Sequence, residues 1–261
     1  MNTLDFNYYQ SANSEGDDIK HDFIIRKDEF DTIIQNITRH KTADSIQHFL
    51  VLGRRGSGKS TLLKRVEYEI THNAALAKKH MVVNLPEEQA SVYRLFDLWD
   101  AVLDEFENTG LIDDFGGTLP EDPTQYARER FDLIQTVLQR EKKQLVILLD
   151  NLDRIFENIG KDAHVLREQL INFKNVRIIG GSTRMSEHFW KYNLPFYEFF
   201  KVIRLEACTR EEVHDLLIYW SEKGRQPEIK EFIKEKPGQL ETIRILTDGL
   251  PRTLQFFVNL L

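Results

Sequence analysis

The chain has one cysteine, Cys208, in 261 residues. A lone thiol excludes an internal disulfide framework, and no Cys/His group has the spacing of a zinc site. Glycine and proline are few, 13 and 7, which excludes a collagen-like or low-complexity chain. Long apolar runs are missing too. The longest, such as Leu145-Val146-Ile147-Leu148-Leu149, are strand-sized and fall far short of the roughly 20 residues that span a bilayer, so no membrane partner is expected. The N-terminus, MNTLDFNYYQ, has no basic stretch followed by an apolar one; no secretory signal is read there, and the cytoplasm is the expected compartment. Positive charge is in deficit: 35 Lys+Arg against 42 Asp+Glu leave −7, which disfavours a general polyanion binder. Three short basic groups remain, Arg39-His40-Lys41, Lys78-Lys79-His80 and Arg140-Glu141-Lys142-Lys143. Each sits near an expected helix end, where cations favour water and the helix dipole, so DNA stays an open but unfavoured partner.

Hydrophobic residues at 41% against 30% charged supply a core for one large domain or two small ones. Residues 1–21, with SANSEGDD in the middle, read as a polar arm. The pattern then alternates. Phe30, Ile33, Ile34 and Ile37 share one face of a helix expected at 28–40. Apolar runs at 48–52, 81–85, 144–150, 176–181 and 201–205 read as strands, with helices at 60–72, 90–108, 124–141 and 162–173. Such alternation predicts an α/β body over 22–207, a parallel sheet covered by helices on both faces. From Thr209, spaced from Glu212 as a capping box, helices near 227–235, 238–247 and from Pro251 predict a small all-helical domain over 208–261.

After the first strand stands GRRGSGKST, Gly53 to Thr61, which satisfies G-x-x-x-x-G-K-[ST]. The glycines let successive backbone N–H groups turn inward on phosphate oxygens, and the following helix adds the positive end of its dipole. Gly53, Gly56, Ser57, Gly58, Lys59, Ser60 and Thr61 are therefore candidate nucleotide contacts, on a loop expected to be exposed. Lys59 is expected at the β- and γ-phosphates and the Ser60 hydroxyl at Mg²⁺. At the end of the strand in VILLDNLD, Asp150 is the second Mg²⁺ candidate, because a buried carboxylate needs a counter-charge. Asp153, three residues on, either polarises the attacking water or caps the next helix. The expected cofactors are ATP/ADP and Mg²⁺.

These motifs resemble those of P-loop ATPases of the AAA+ and STAND groups, particularly bacterial relatives of origin-recognition and NACHT/NB-ARC modules. Leu148-Leu149-Asp150-Asn151-Leu152-Asp153 is similar to the second acidic motif of NACHT modules, with Arg154 in place of the usual Glu. The AAA+ pattern has a catalytic Glu directly after the metal Asp, where this chain has Asn151. Phe23 to Phe30 resembles an entry motif that lies beside adenine, with Ile25 in place of its glycine, which makes Arg26 a candidate contact. Ile178 to Arg184 resembles a sensor strand and implies that Arg184 meets the γ-phosphate. Gly249-Leu250-Pro251-Arg252 is similar to the lid motif of STAND modules and the second sensor of AAA+ lids, which implies that Arg252 reads the phosphates. Gly at C′ and Pro at N1 would also stop one helix and start another.

No arginine stands between Met185 and Ile203, where an AAA+ ring offers its finger; Lys191 and Lys201 are the basic residues there. The aromatics of that stretch, Phe189, Trp190, Tyr192, Phe196, Tyr197, Phe199 and Phe200, are expected in core and lid packing, since single strands need a basic groove beside the rings. The resemblance therefore implies a switch more than a ring motor. It implies a module that binds ATP, hydrolyses it slowly, and couples nucleotide state to lid position and homo-oligomerisation, within a larger signalling or defence protein that brings an effector domain or protein partner. Its lid motif lies nine residues from Leu261, which implies a fragment or an unusually short member. Two alternatives stay open: an origin-recognition-like or transposition-associated ATPase acting on DNA, and a small-molecule kinase, against which the lid motif and the lack of an arginine-rich lid count.

Overall fold

The computed structural model describes residues 18–40, 44–86, 92–113, 115–116, 121–224 and 227–258. Five parallel strands form one sheet in the order β2-β3-β4-β1-β5: β1 (His48–Leu52), β2 (His80–Leu85), β3 (Gln144–Leu149), β4 (Val176–Ser182) and β5 (Phe200–Arg204). Every residue of β1 and β4 is buried, as a sheet covered on both faces requires. The two-residue side-chain period divides the strands between two cores. Phe49 and Val51 pack with Val146, Leu148 and Ile179 on one face, while Leu50 packs with Ile147 and Ile178 on the other.

Helices α2 (Lys27–Arg39), α3 (Lys59–His72) and α4 (Ala74–Ala77) cover the first face through Ile33, Ile37, Leu62, Val66 and Leu76. Helices α5 (Leu95–Asn108), α6 (Pro123–Glu141), α7 (Leu152–Ile159), α8 (Ala163–Asn172) and α9 (Glu187–Trp190) lie against the second. The chain then leaves the sheet. Helices α10 (Arg210–Lys223), α11 (Pro227–Glu235), α12 (Pro237–Leu246) and α13 (Pro251–Val258) close on a core of their own, with Val213, Leu217, Trp220, Ile243 and Leu254 at its centre. The expected capping box opens α10: Glu212 N donates to Thr209 Oγ1 at 3.1 Å and Thr209 N to Glu212 Oε2 at 2.9 Å. Cys208 lies buried where the two parts join, and burial pushes its thiol up to about 11, which keeps it in the protonated form at neutral pH.

Four local expectations are corrected. The polar arm is one, although residues 1–17 of it lie outside the described residues: 18–22 form a short helix, α1 (Asp18–Asp22). Asp22 there accepts from the Tyr219 hydroxyl and from Lys223 Nζ, which ties the chain entry to the helical domain. Phe23 next to it enters the sheet core, whereas Ile24 and Ile25 pack on the helical core. The helix expected at 90–108 begins at Leu95, and 87–91 lie outside the described residues. The helix expected at 162–173 is preceded by α7, which starts two residues after Asp150. Finally, of the aromatics after β4, Phe189, Phe196 and Phe200 lie in the sheet core as expected and close around Phe156, but Trp190 and Tyr192 are exposed and not packed.

Candidate nucleotide site

The glycine-rich loop leaves β1 tied to its neighbour, since Gly53 N donates to Ser182 O at 3.1 Å. Ser57 N donates back to Arg54 O at 3.1 Å, and left-handed turns at Gly56 and Gly58, φ 83° and 98°, carry the chain into α3. No side chain caps α3, in keeping with a helix N-terminus that faces an anion. Inside the loop the Ser57 hydroxyl is fully buried without a hydrogen-bond partner. A polar atom left so in a packed loop fits a site built for a polar ligand.

The loop is exposed at Arg54, Arg55 and Ser60, as expected, but not at its lysine. Lys59 is buried, and its Nζ donates to Gly53 O at 2.9 Å and Arg54 O at 3.2 Å. The ammonium thus lies across the loop mouth. Next to it Ser60 Oγ donates to Asp150 Oδ2 at 2.5 Å, and Asp150 Oδ1 accepts from Asn151 N at 3.1 Å. A β-carbon on Gly181 would fall 2.9 Å from Asp150 Oδ1, and one on Gly180 would fall 2.4 Å from Leu152 Cδ2. The glycine pair in β4 therefore gives Asp150 its room and seats α7 against the sheet. In the sequence that pair reads only as part of the sensor-like strand, with nothing local to mark the space it leaves.

Ser60 and Asp150 are two hard oxygen donors, and among the described residues no group of three or more His, Cys, Asp or Glu could hold a metal. That donor set fits Mg²⁺, which takes one or two protein oxygens and completes its octahedron with water and phosphate. Asp153 lies in the first turn of α7, whose N-cap is Asn151 at φ 58°. The capping alternative for Asp153 is therefore corrected. Its buried carboxylate instead has Arg184 Nε 3.4 Å away, and Arg184 Nη2 donates to Glu157 Oε1 at 2.5 Å. Glu157 was missed in the sequence, although it follows Asp153 by four residues and so shares its helix face.

The lid reaches the loop. Arg252 N donates to Gly56 O at 3.3 Å, and Arg54 Nη1 lies 3.0 Å from Asp248 Oδ2. That ion pair is exposed on both sides and contributes about 1 kcal/mol or less, so the backbone contact, the packing of Ile24 and Ile25 and the bonds of Asp22 to Tyr219 and Lys223 do more to hold the lid. The lid motif also differs by one residue from the expected Gly at C′. Asp248 N donates to Ile245 O at 3.1 Å and Gly249 N to Arg244 O at 2.7 Å, a Schellman turn with Asp248 at C′ and Gly249 at C″. A side chain at Gly249 would meet Cys208 N and O at 3.0 Å, and Cys208 N donates to Gly249 O at 2.8 Å. Arg26 lies beside the segment that joins the sheet to the lid. It caps α2 in a left-handed conformation, φ 67°, and its Nη2 donates to Glu206 O at 2.5 Å while its Nε is buried without a partner.

The structure thus gathers Gly53 to Thr61, Asp150, Asp153 and Arg184 at the carboxyl ends of three adjacent strands, β3, β4 and β1, where open α/β sheets bind ligands. Residues 22–168 match the family model for the AAA ATPase domain. The chain belongs to that family. No curated protein matches this AAA domain in sequence. Solved structures match its fold. The ORC2 protein of Aeropyrum pernix, in ADPNP–ADP complexes, is 15% identical with a TM-score of 0.58, over 76% of this chain and 52% of that one. The ORC1 protein of Aeropyrum pernix in complex with DNA is 15% identical with a TM-score of 0.54, over 78% and 52%. The Walker-type ATPase PABY2304 of Pyrococcus abyssi is 15% identical with a TM-score of 0.51, over 89% and 65%. This AAA domain spans about half the length of the two ORC structures. It has the P-loop α/β fold with a helical domain behind it, and it resembles origin-recognition-like AAA+ modules. No helix among the described residues is long and apolar enough to cross a membrane.

Proposed function

We propose that this AAA domain is an ATP-binding, slowly ATP-hydrolysing switch, whose nucleotide state sets the lid position and self-association within a larger signalling or defence protein. The observation that carries this reading is the contact of the lid with the phosphate loop, Arg252 N on Gly56 O. A ligand moves an equilibrium only through contacts that differ between states, and a loop that touches the lid directly supplies them. Gly53 to Thr61 would cradle the phosphates, Lys59 would pass from the two loop carbonyls to phosphate oxygens, and Ser60 with Asp150 would hold Mg²⁺. That ion, when bound, supplies positive charge for the phosphate oxygens. Asp153 would orient the attacking water. Hydrolysis is slow in this reading because Asn151, which cannot take a proton, follows Asp150, and because Asp153 is already paired with Arg184.

Calorimetric titration with Mg·ADP and Mg·ATP, alongside a phosphate-release assay, tests it. The expected result is binding of both nucleotides with turnover well under the roughly 10 s⁻¹ typical of enzymes. Binding of neither would end the reading.

A second reading, an ATPase acting on DNA, is favoured by the convergence of basic residues at the other end of the sheet. Gln144 N donates to Lys79 O at 2.8 Å and Leu145 N to Asn175 O at 2.7 Å. Lys79, Lys143 and Lys174 therefore lead into adjacent strands. Duplex binding that weakens linearly with log salt would support it, and no salt-dependent binding would remove it.

A further inference from the structure

Arg184 follows the end of β4, three residues beyond Gly181, whose absent side chain leaves space shared by Asp150 and the Lys59 stem. Its main chain is pinned. Ser182 Oγ donates to Arg184 O at 2.6 Å and accepts from Arg184 N at 3.3 Å. Its side chain is 63% exposed, so ionic partners rather than close packing orient the guanidinium. Both of its ionic partners stand on α7, one turn apart, and they differ in kind. Asp153 is buried and faces Nε at 3.4 Å, whereas Glu157 is 44% exposed and takes Nη2 at 2.5 Å. Losing its counter-ion is costly for a buried carboxylate and cheap for an exposed one. Asp153 is thus the pivot of Arg184, and Glu157 is the partner that can be exchanged.

We infer that Glu157 is a specificity-determining residue: by holding Arg184 Nη2 against α7 it competes with a terminal phosphate, and so sets how strongly the site prefers a triphosphate over a diphosphate nucleotide. The inference rests on the reading of this site as a nucleotide pocket. A γ-phosphate gains Arg184 only after Glu157 releases it, whereas a diphosphate has no group to claim it. The apparent affinity for the triphosphate is then lowered by the fraction of molecules in which Arg184 is still held. An ion pair exposed on both sides is weak, which limits the effect to about two- to fivefold.

The test is a double-mutant cycle in the whole chain. Parent, Glu157→Gln, Arg184→Ala and the double variant are titrated with Mg·ADP and with a non-hydrolysable Mg·ATP analogue. Glu157→Gln is expected to tighten the analogue about two- to fivefold and leave ADP unchanged. In the Arg184→Ala background the same substitution is expected to change neither. A shift common to both nucleotides, a shift that persists without Arg184, or no shift at all overturns the inference and leaves the nucleotide site standing. A parent that binds neither nucleotide removes the site reading and the inference together.

Discussion

A β-carbon added to Gly56 would lie 2.7 Å from the β-carbon of Arg252. The loop that would hold phosphate and the lid that would sense it are therefore in van der Waals contact at a glycine, and that glycine also has φ 83°. Gly56→Ala must both strain the loop, by about 1–2 kcal/mol for a left-handed residue, and push the lid away. The expected outcome is nucleotide affinity lowered about tenfold or more, since 1.4 kcal/mol is a factor of ten. Far-UV circular dichroism should stay unchanged, because the sheet core does not involve Gly56. Parent-like affinity would mean that the lid does not rest on the loop in solution.

Lys59→Ala removes two hydrogen bonds to loop carbonyls as well as the ammonium. A small loss of stability, about 1–3 kcal/mol for bonds made by a charged donor, should therefore accompany the loss of tight ATP binding. Calorimetry on a variant confirmed folded by thermal melting decides it. Unchanged ATP affinity would sink the phosphate-site assignment.

The sheet was legible because its strands are buried on both faces and so appear as continuous apolar runs, His48 to Leu52 and Leu145 to Leu149 among them. The phosphate loop was legible because its chemistry is local. What stayed hidden depends on contacts across the fold. Helix α7 was missed because it starts in a left-handed residue, Asn151, without a capping side chain. With it went Glu157 and the packing of Leu152 on Gly180. The Lys59 contacts and the seat of Arg252 on Gly56 depend on how loop and lid close, which no periodicity encodes. Arg26 was read from a resemblance, and its observed partners are Glu206 and Glu29.

Asp153→Asn separates a water-positioning role from a purely structural one. An amide keeps the size of the carboxylate but accepts no proton, and it loses the charge that faces Arg184. The expected result is retained Mg·ATP binding with phosphate release lowered about a hundredfold or more, within the range for general base loss. Equal turnover in parent and variant would give the base role to another group and leave the nucleotide site intact.

Acid should destabilise the protein through its buried histidines. His48 Nδ1 accepts from Ile178 N at 3.1 Å, and burial, followed by the charge of Arg177, holds its pKa down to about 3. His40 and His80 are lowered too, first by burial. An unfolded histidine takes its proton near pH 6.5, so below that pH the unfolded chain binds more protons than the folded one. This contribution is complete above about pH 6.5 and is lost as pH falls toward 3. His48→Gln offers Ile178 N an oxygen that does not titrate. Urea unfolding between pH 6 and 5 should then show a slope of stability against pH smaller by up to about 1.4 kcal/mol per unit. An unchanged slope would mean that His48 titrates alike in both states.

Arg252 puts the switch to its hardest test. The Schellman turn at Asp248 and Gly249 ends α12, and Pro251, with its fixed φ and no N–H, starts α13 at once. Arg252 is therefore held at a set angle over the loop, with its backbone N–H already on Gly56 O. Because that contact is made by the main chain, Arg252→Ala keeps it and loses only the side chain. ADP binding should survive nearly intact, while any compaction or self-association produced by a triphosphate should vanish if the Arg252 side chain, and not the retained main-chain contact alone, tells the two nucleotides apart. Small-angle scattering and light scattering on parent and variant, each with ADP and with a non-hydrolysable ATP analogue, decide the matter. If the parent has the same shape and mass in both nucleotides, this domain is no switch in isolation. If ADP affinity collapses in the variant, Arg252 is a plain binding residue, and the reading of the phosphates falls to Arg184 alone.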